Sequence, residues 1–365
     1  MSSSILRTAD VIGGRYRIEA YVDAGGMQEV YRATDVSLQR VVALKVPKNE
    51  SAKKRFQRSA AMSAKVTHPN VAKTFDYLEE SGRQYLVEEF VDGQDLKLRL
   101  ASHFAYLDPH LAAHVFHHFA KGLAAVHRVG VIHRDLKPSN VMVSTDPSIE
   151  TVKITDFGVA KMAEAEVEEA LEPGKDPTLG SPTVVGALPY MAPEVIKNVK
   201  GEINLCADVW SAGAILYQLL TGQRPFGEGL MAVERILKGD ITPKPELLSQ
   251  NPQFTHLVDG LWSIVIKCLV LKPEARPTAA ELVELCGQLS YSSAERHLGV
   301  IANYKGGTGR WGFISYGEGD TAGQAFFHES SYWGKSPEVG TRVSFAKFPG
   351  SPASRAFPVL PLKPE

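Results

Sequence analysis

The sequence predicts an α+β chain: a β-rich lobe, then a helical lobe, then a separate small all-β module. Three observations predict this. Short β-rich runs punctuated by turn residues fill 16–46 and 75–90. From Pro109 onward apolar residues recur at helical spacing, with Leu111, Val115, Phe119 and Val126 on one stripe. After the small polar stretch Ser290-Tyr291-Ser292-Ser293, composition shifts to glycine and aromatics. Across 299–359 short strands and turns then alternate every few residues.

The elements follow in order. Val41-Val42-Ala43-Leu44 is β-rich, and Ala24-Gly25-Gly26 marks a turn before it. Residues 53–66 have helical spacing. Phe75 to Phe90 is strand-like again, with Glu80-Ser81-Gly82 as its hairpin turn. Val209 to Leu220 is the most apolar stretch. It is too short to span a bilayer and contains Ser211 and Gln218, so it reads as a buried core helix. The helical lobe should end near Leu289, after Arg276-Pro277-Thr278. The acidic run Glu164, Glu166, Glu168, Glu169, Glu172 and Asp176 reads as a solvated loop.

The bulk numbers exclude some classes. The chain has 365 residues, room for two or three domains. Its net charge is -1, so any nucleic-acid or membrane role must be local. Cys206, Cys268 and Cys286 lie far apart, which argues against a disulfide framework and suits a reducing cytosol. The start, MSSSILRTAD, lacks an apolar h-region. A cytoplasmic protein with no membrane partner is expected.

The chemistry concentrates in Val131-Ile132-His133-Arg134-Asp135-Leu136-Lys137-Pro138-Ser139-Asn140, followed by Asp156-Phe157-Gly158. Asp135 can take the proton of an incoming hydroxyl, while Asn140 and Asp156 can hold Mg²⁺. The run resembles the H-R-D-L-x-x-x-N and D-F-G motifs of bacterial, eukaryotic-type (Hanks-type) Ser/Thr protein kinases. Val42-Ala43-Leu44-Lys45 is similar to their V-A-I-K strand, and Ala192-Pro193-Glu194 to A-P-E. The resemblance implies a bilobal kinase over 14–289, divided into lobes 14–91 and 92–289, after an N-terminal extension, 1–13. It implies an ATP site of Lys45, Gly25, Gly26, Val30, Ala43, Glu89 and Val91. It implies Asp135, Lys137 and Asn140 as catalytic, Asn140 and Asp156 as metal ligands, a Glu194–Arg276 ion pair, and Asp208 as the orienter of the catalytic loop. Thr178, Ser181 and Thr183, in the long segment before Glu194, are candidate phosphorylation sites whose phosphate Arg134 could clamp.

Four places depart from that pattern. Asp23 and Gln28 replace the first and third glycines of the phosphate loop, so weaker ATP binding or an unusual loop pose is expected. Ser59 stands where a glutamate usually pairs with the strand lysine. Glu88 occupies what resembles the gatekeeper, where a carboxylate is costly unless paired. Either Glu88 replaces the missing partner of Lys45, or its strand is shifted and Glu88 meets solvent. Ala187 removes the threonine hydroxyl that usually bonds the catalytic aspartate and lysine.

His110, His114, His117 and His118 share one side of a helix, opposite the apolar stripe. They read as a solvated face ahead of a metal site.

In the last module, Gly299-Val300-Ile301-Ala302-Asn303-Tyr304, Trp311-Gly312-Phe313-Ile314 and Ala325-Phe326-Phe327-His328 resemble a cold-shock domain, implying a five-stranded OB barrel over 298–361 behind a 290–297 linker. By strand parity Trp311 and Phe313 share a face, as do Phe326 and His328. They form either an external platform for unpaired bases or part of the barrel interior. The opposite parity of Ile314 and Phe327 favours the platform. Arg310 adds a cation, and eight Lys/Arg stand against five Asp/Glu over 296–365. The expectation is a Ser/Thr kinase using ATP and Mg²⁺ on protein substrates, tethered to a module for single-stranded RNA or DNA. The rival is a pseudokinase scaffold.

Overall fold

A computed structural model describes residues 4–24, 28–48, 56–57, 60–156, 186–197 and 204–364. The first sheet has six strands: β1 (Val11–Ile12), β2 (Tyr16–Ala24), β3 (Gln28–Asp35), β4 (Arg40–Pro47), β5 (Thr74–Glu80) and β6 (Arg83–Glu89), ordered β1-β2-β3-β4-β6-β5. Its pleat separates two faces. Tyr31, Ala33, Val42, Leu44, Val46, Tyr85 and Val87 form one apolar core with Leu6, Ile12, Tyr16 and Ile18. Val30, Ala43, Lys45, Leu86 and Glu88 have the opposite parity and face the cleft. Residues 56–57 and 60–63, within the expected 53–66 helix, are helical.

The first residues are not an appendage. Leu6 lies in the sheet's core, and the Ile5 N–H donates to Glu29 at 2.8 Å. The expected extension 1–13 is therefore corrected: its described residues belong to the first lobe, because their apolar side chains close the sheet's outer face.

The helical lobe begins with β7 (Gln94–Asp95) and α1 (Leu96–Ser102), then α2 (Pro109–Arg128). β8 (Val141–Val143) and β9 (Val152–Ile154) make a small sheet with β7. Next come α3 (Pro193–Ile196), α4 (Leu205–Thr221), α5 (Met231–Lys238), α6 (Thr255–Cys268) and α7 (Ala279–Gly287). α2 buries Leu111, Val115, Phe119 and Val126 as its periodicity predicts. α4 is apolar on nearly all sides and is the lobe's central helix. It stops at Gly222, whose φ is 72° and whose added Cβ would sit 2.0 Å from the Ala105 carbonyl oxygen. No described helix is long and apolar enough to cross a membrane.

The last module is a closed barrel: β10 (Arg296–Lys305), β11 (Trp311–Tyr316), β12 (Gly323–His328), β13 (Arg342–Phe348) and β14 (Ser354–Pro361), ordered β10-β11-β12-β14-β13. Ile301, Ile314, Phe327, Val343, Phe345 and Val359 fill it. β10 takes in Arg296 and His297, so the linker is shorter than 290–297.

The barrel is seated on the helical lobe. Trp333 and Leu360 lie in that lobe's own apolar core. Phe357 stacks on Phe254 with centroids 5.3 Å apart, and Trp333 meets Phe254 edge-on at 5.0 Å. Arg296 reaches Asp108 at 2.8 Å, both side chains buried. Lys363 donates from its backbone to the His103 carbonyl and from Nζ to those of Leu100 and Ala101, closing the end of α1.

The histidines of α2 correct the expectation of a solvated face. His110 packs edge-on against Phe254 and Phe357, and its Nδ1 accepts the Ser292 N–H. His117 bonds the Tyr291 hydroxyl, His114 the Ile149 carbonyl, and His118 the Asn70 amide. Periodicity shows which side of a helix avoids its own apolar stripe, but not what the rest of the chain lays on that side. Among the described residues no group of three or more His, Cys, Asp or Glu is placed to hold a metal.

Candidate active site

The cleft face of the first sheet supplies Lys45. In the β4–β6 register Lys45 opposes Leu86 and Ala43 opposes Glu88. Lys45 and Glu88 are thus diagonal neighbours on one face, within reach of long side chains. Lys45 Nζ lies 2.5 Å from Glu88 Oε2 and 2.9 Å from Asp156 Oδ1. Of the two readings of Glu88, the strand is not shifted: the carboxylate is buried and paired. Gln28, at the head of β3, donates from Nε2 to the same Asp156 oxygen at 2.7 Å.

Charge states follow from this packing. Burial alone would drive the Lys45 ammonium down, but Asp156 and then Glu88 more than reverse this and hold it above the ordinary lysine range. Burial raises Glu88, and Lys45 offsets only part of that. Burial also pushes Asp156 up, yet Lys45 and Gln28 bring it below the usual carboxylate range. The unit is a cation held between two carboxylates, a better arrangement than one isolated buried charge.

Asp208, at the start of α4, holds the loop that bears Asp135. Its two oxygens accept the backbone N–H groups of His133 and Arg134, each at 2.8 Å, and Oδ2 also meets His127 Nε2 at 2.9 Å. Those bonds let Arg134 keep a φ of 67°, unfavourable for a residue with a side chain. His133 Nε2 lies 2.9 Å from the Thr155 carbonyl oxygen, tying this loop to the segment that carries Asp156.

On this frame Lys137 Nζ contacts both oxygens of Asp135, at 3.0 and 2.8 Å. Asn140 Nδ2 donates to the Asp135 carbonyl at 2.7 Å and its carboxylate at 3.0 Å. That leaves Asn140 Oδ1 as an acceptor with no donor among the described residues. Among the described residues Asp156 Oδ2 has only the Thr155 hydroxyl, at 3.5 Å. Two hard oxygens on adjoining segments suit Mg²⁺. Glu194 and Arg276 form a buried two-pronged pair at 2.6 and 2.9 Å, with Arg276 5.0 Å above the Trp210 ring.

The other site expectations fall as follows. Val30 and Ala43 lie on the cleft face, and Val91 is buried just beyond β6. Glu89 is paired with Lys153 at 2.9 Å. Ala187 is buried and offers no hydroxyl to Asp135. Gly25, Gly26, Ser59, Thr178, Ser181 and Thr183 lie outside the described residues. Gln28 was read only as a missing glycine. The length of a glutamine side chain beside a ligand carboxylate was the signal for its bond.

On the barrel, Trp311, Phe313 and Phe326 stand outside, with centroid separations of 5.7 to 6.1 Å. Phe313 opposes Phe326, and Trp311 opposes His328. His328 is exposed and its ring nitrogen accepts the Ser330 N–H at 3.2 Å. Arg310 does not lend a free cation: it pairs with Glu329 at 2.9 Å. The cations over the rings are Arg355, 4.8 Å from Phe326, and Lys305, 6.0 Å from Trp311. Sequence reading missed both roles because β14 and the end of β10 come beside the rings only when the barrel closes.

A protein kinase domain model matches residues 16–285. The chain is 34% identical over 284 residues to a probable serine/threonine-protein kinase PknB of Lactococcus lactis, covering 76% of this chain and 42% of that protein. It is 33% identical over 279 residues to the serine/threonine-protein kinase pkn3 of Myxococcus xanthus, covering 74% and 49%. To the serine/threonine-protein kinase PrkC of Bacillus subtilis it is 30% identical over 278 residues, covering 75% and 40%. The matched stretch thus spans less than half of each of these relatives.

Proposed function

The chain belongs to the protein kinase family, and from that premise we propose that it transfers the γ-phosphoryl group of Mg·ATP to serine or threonine hydroxyls of protein substrates. One observation carries the reading. Asp135, Lys137, Asn140, Asp156 and Lys45 are gathered on one cleft and joined by hydrogen bonds and ion pairs. Phosphoryl transfer asks the protein mainly for positioning and charge stabilisation, and this set supplies both.

In this reading Asp135 accepts the hydroxyl proton. Lys137, now on Asp135, would meet the transferred group and temper its charge. Lys45 exchanges a carboxylate for the α- and β-phosphates while Glu88 keeps it in place. Asn140 and Asp156 would hold Mg²⁺, which when bound neutralises charge on the phosphates. Phosphate on Thr178, Ser181 or Thr183 regulates the enzyme by docking on Arg134.

We further infer that the barrel binds single-stranded RNA or DNA on Trp311, Phe313, Phe326 and His328, each base stacked contributing about 1–3 kcal/mol. Support comes from the outward position of the rings and the cations above them. The setting proposed is the cytoplasm. The kinase test is phosphate incorporation from labelled ATP, with Asp135→Asn and Lys45→Ala as controls. Labelling by wild type alone supports the reading. Equal silence of all three with Mg²⁺ and Mn²⁺ would leave the scaffold reading.

A further inference from the structure

Gln28 stands where the family's phosphate loop has its third glycine. Its side chain crosses from the β-rich lobe to the opposite wall of the cleft and donates to Asp156 Oδ1 at 2.7 Å. Lys45 holds the same oxygen at 2.9 Å. Glycine could make no such bond. Asp156 itself has a φ of 61°, a left-handed conformation that aspartate tolerates better than most residues with a side chain.

We propose that Gln28 is a latch on the metal-bearing carboxylate, and that it sets the Mg²⁺ concentration at which the cleft accepts nucleotide. The proposal rests on the kinase reading above. Two donors on Oδ1, one of them charged, draw negative potential from the whole carboxylate, so Oδ2 attracts a divalent cation less strongly. For nucleotide to enter, Lys45 must turn from Asp156 to phosphate, trading one anionic partner for another. The neutral amide of Gln28 has no equal exchange. Asp156 bearing Mg²⁺ is a poorer acceptor than the bare carboxylate, so that hydrogen bond is weakened each time the site fills. Metal binding and the latch therefore compete for one side chain. Glu88 makes the competition matter, because it holds Lys45 from behind and keeps the ammonium beside Asp156 in the closed network.

The test uses the full chain and a non-hydrolysable ATP analogue, titrated calorimetrically over a series of Mg²⁺ concentrations. Gln28→Met keeps side-chain length and removes the donor. Gln28→Ala is the second variant, should Met fail to pack by thermal melting. Both variants should reach half-saturation at Mg²⁺ about tenfold lower than wild type, equivalent to ~1.4 kcal/mol of competition removed. Each protein's analogue affinity in EDTA is its own reference, and the latch is read only from the shift of the Mg²⁺ midpoint against it. A Mg²⁺ midpoint that is unchanged or higher in the variants overturns the latch; a higher one would mean that Gln28 holds Asp156 ready for the metal. Failure of wild type and variants alike to bind the analogue at any Mg²⁺ concentration overturns the kinase reading, and the latch with it.

Discussion

Glu88 puts a negative side chain on the apolar side of a nucleotide cleft, and the cost is met by Lys45 at 2.5 Å. Removing one partner of a buried pair is commonly worth about 3–5 kcal/mol of destabilisation. Here Asp156 still holds Lys45, so the loss from Glu88→Met should fall below that range. We expect Glu88→Met to lower the melting temperature by several degrees and kcat/KM by at least tenfold. Adding Ser59→Glu should restore part of the activity if the lysine needs any carboxylate behind it. Kinetics of the single and double variants against wild type check this. Unchanged kcat/KM in Glu88→Met would show that Asp156 alone orients Lys45. That Lys137 and Asn140 gather on Asp135, and Lys45 on Asp156, was foreshadowed in the sequence by motifs that admit few residue types at fixed spacing. Glu88 was only half legible: its resemblance to the gatekeeper position put it near Lys45, but a one-residue slip would have turned it to solvent.

At the scale of elements, α2 carries two loads. Asp108 caps its start, Oδ1 accepting the N–H groups of His110 and Leu111. Its other oxygen takes Arg296 from the barrel. Arg296→Ala leaves that oxygen buried and unpaired, and should destabilise the chain by ~3 kcal/mol or more. Limited proteolysis should then cut within 288–295 faster than in wild type; equal rates would assign the seating to apolar contacts alone. The helix's histidines add a pH dependence. Burial lowers His110, His114, His117 and His118 from the ordinary 6.5, His118 to about 4. The unfolded chain therefore binds more protons than the folded one between pH 6.5 and about 4. Stability is full above that window and declines as pH falls through it. Melting temperatures from pH 7 to 4 should drop, and His118→Gln should flatten part of the slope. The α2 stripe itself was readable from a 3.6-residue period. What covers its other side comes from Asn70, Ile149, Phe254, Tyr291, Ser292 and Phe357, which no local pattern connects to it.

At the scale of the whole molecule, the ring platform and the cleft belong to one body. The platform predicts binding of pyrimidine-rich single strands by the full chain, weakening as salt rises if Lys305 and Arg355 turn to phosphate. Trp311→Ala should cost more than tenfold in affinity if its ring contributes ~1.4 kcal/mol or more. Fluorescence anisotropy checks both; no difference between Trp311→Ala and wild type would make the barrel a protein-docking module instead. The module's all-β character was legible from alternation and turn spacing, and its five-stranded barrel from the resemblance to a cold-shock domain. Its seating was not, since Trp333 and Phe357 fit a barrel interior as well as an interface.

That seating makes the polar linker a deceptive place to cut. A break there would bare Trp333, Phe357 and Leu360 on one fragment and Phe254 and His110 on the other. Each fragment alone should be sticky and poorly behaved. Produced together in one cell, the two should recognise each other and copurify, as the halves of a split protein do.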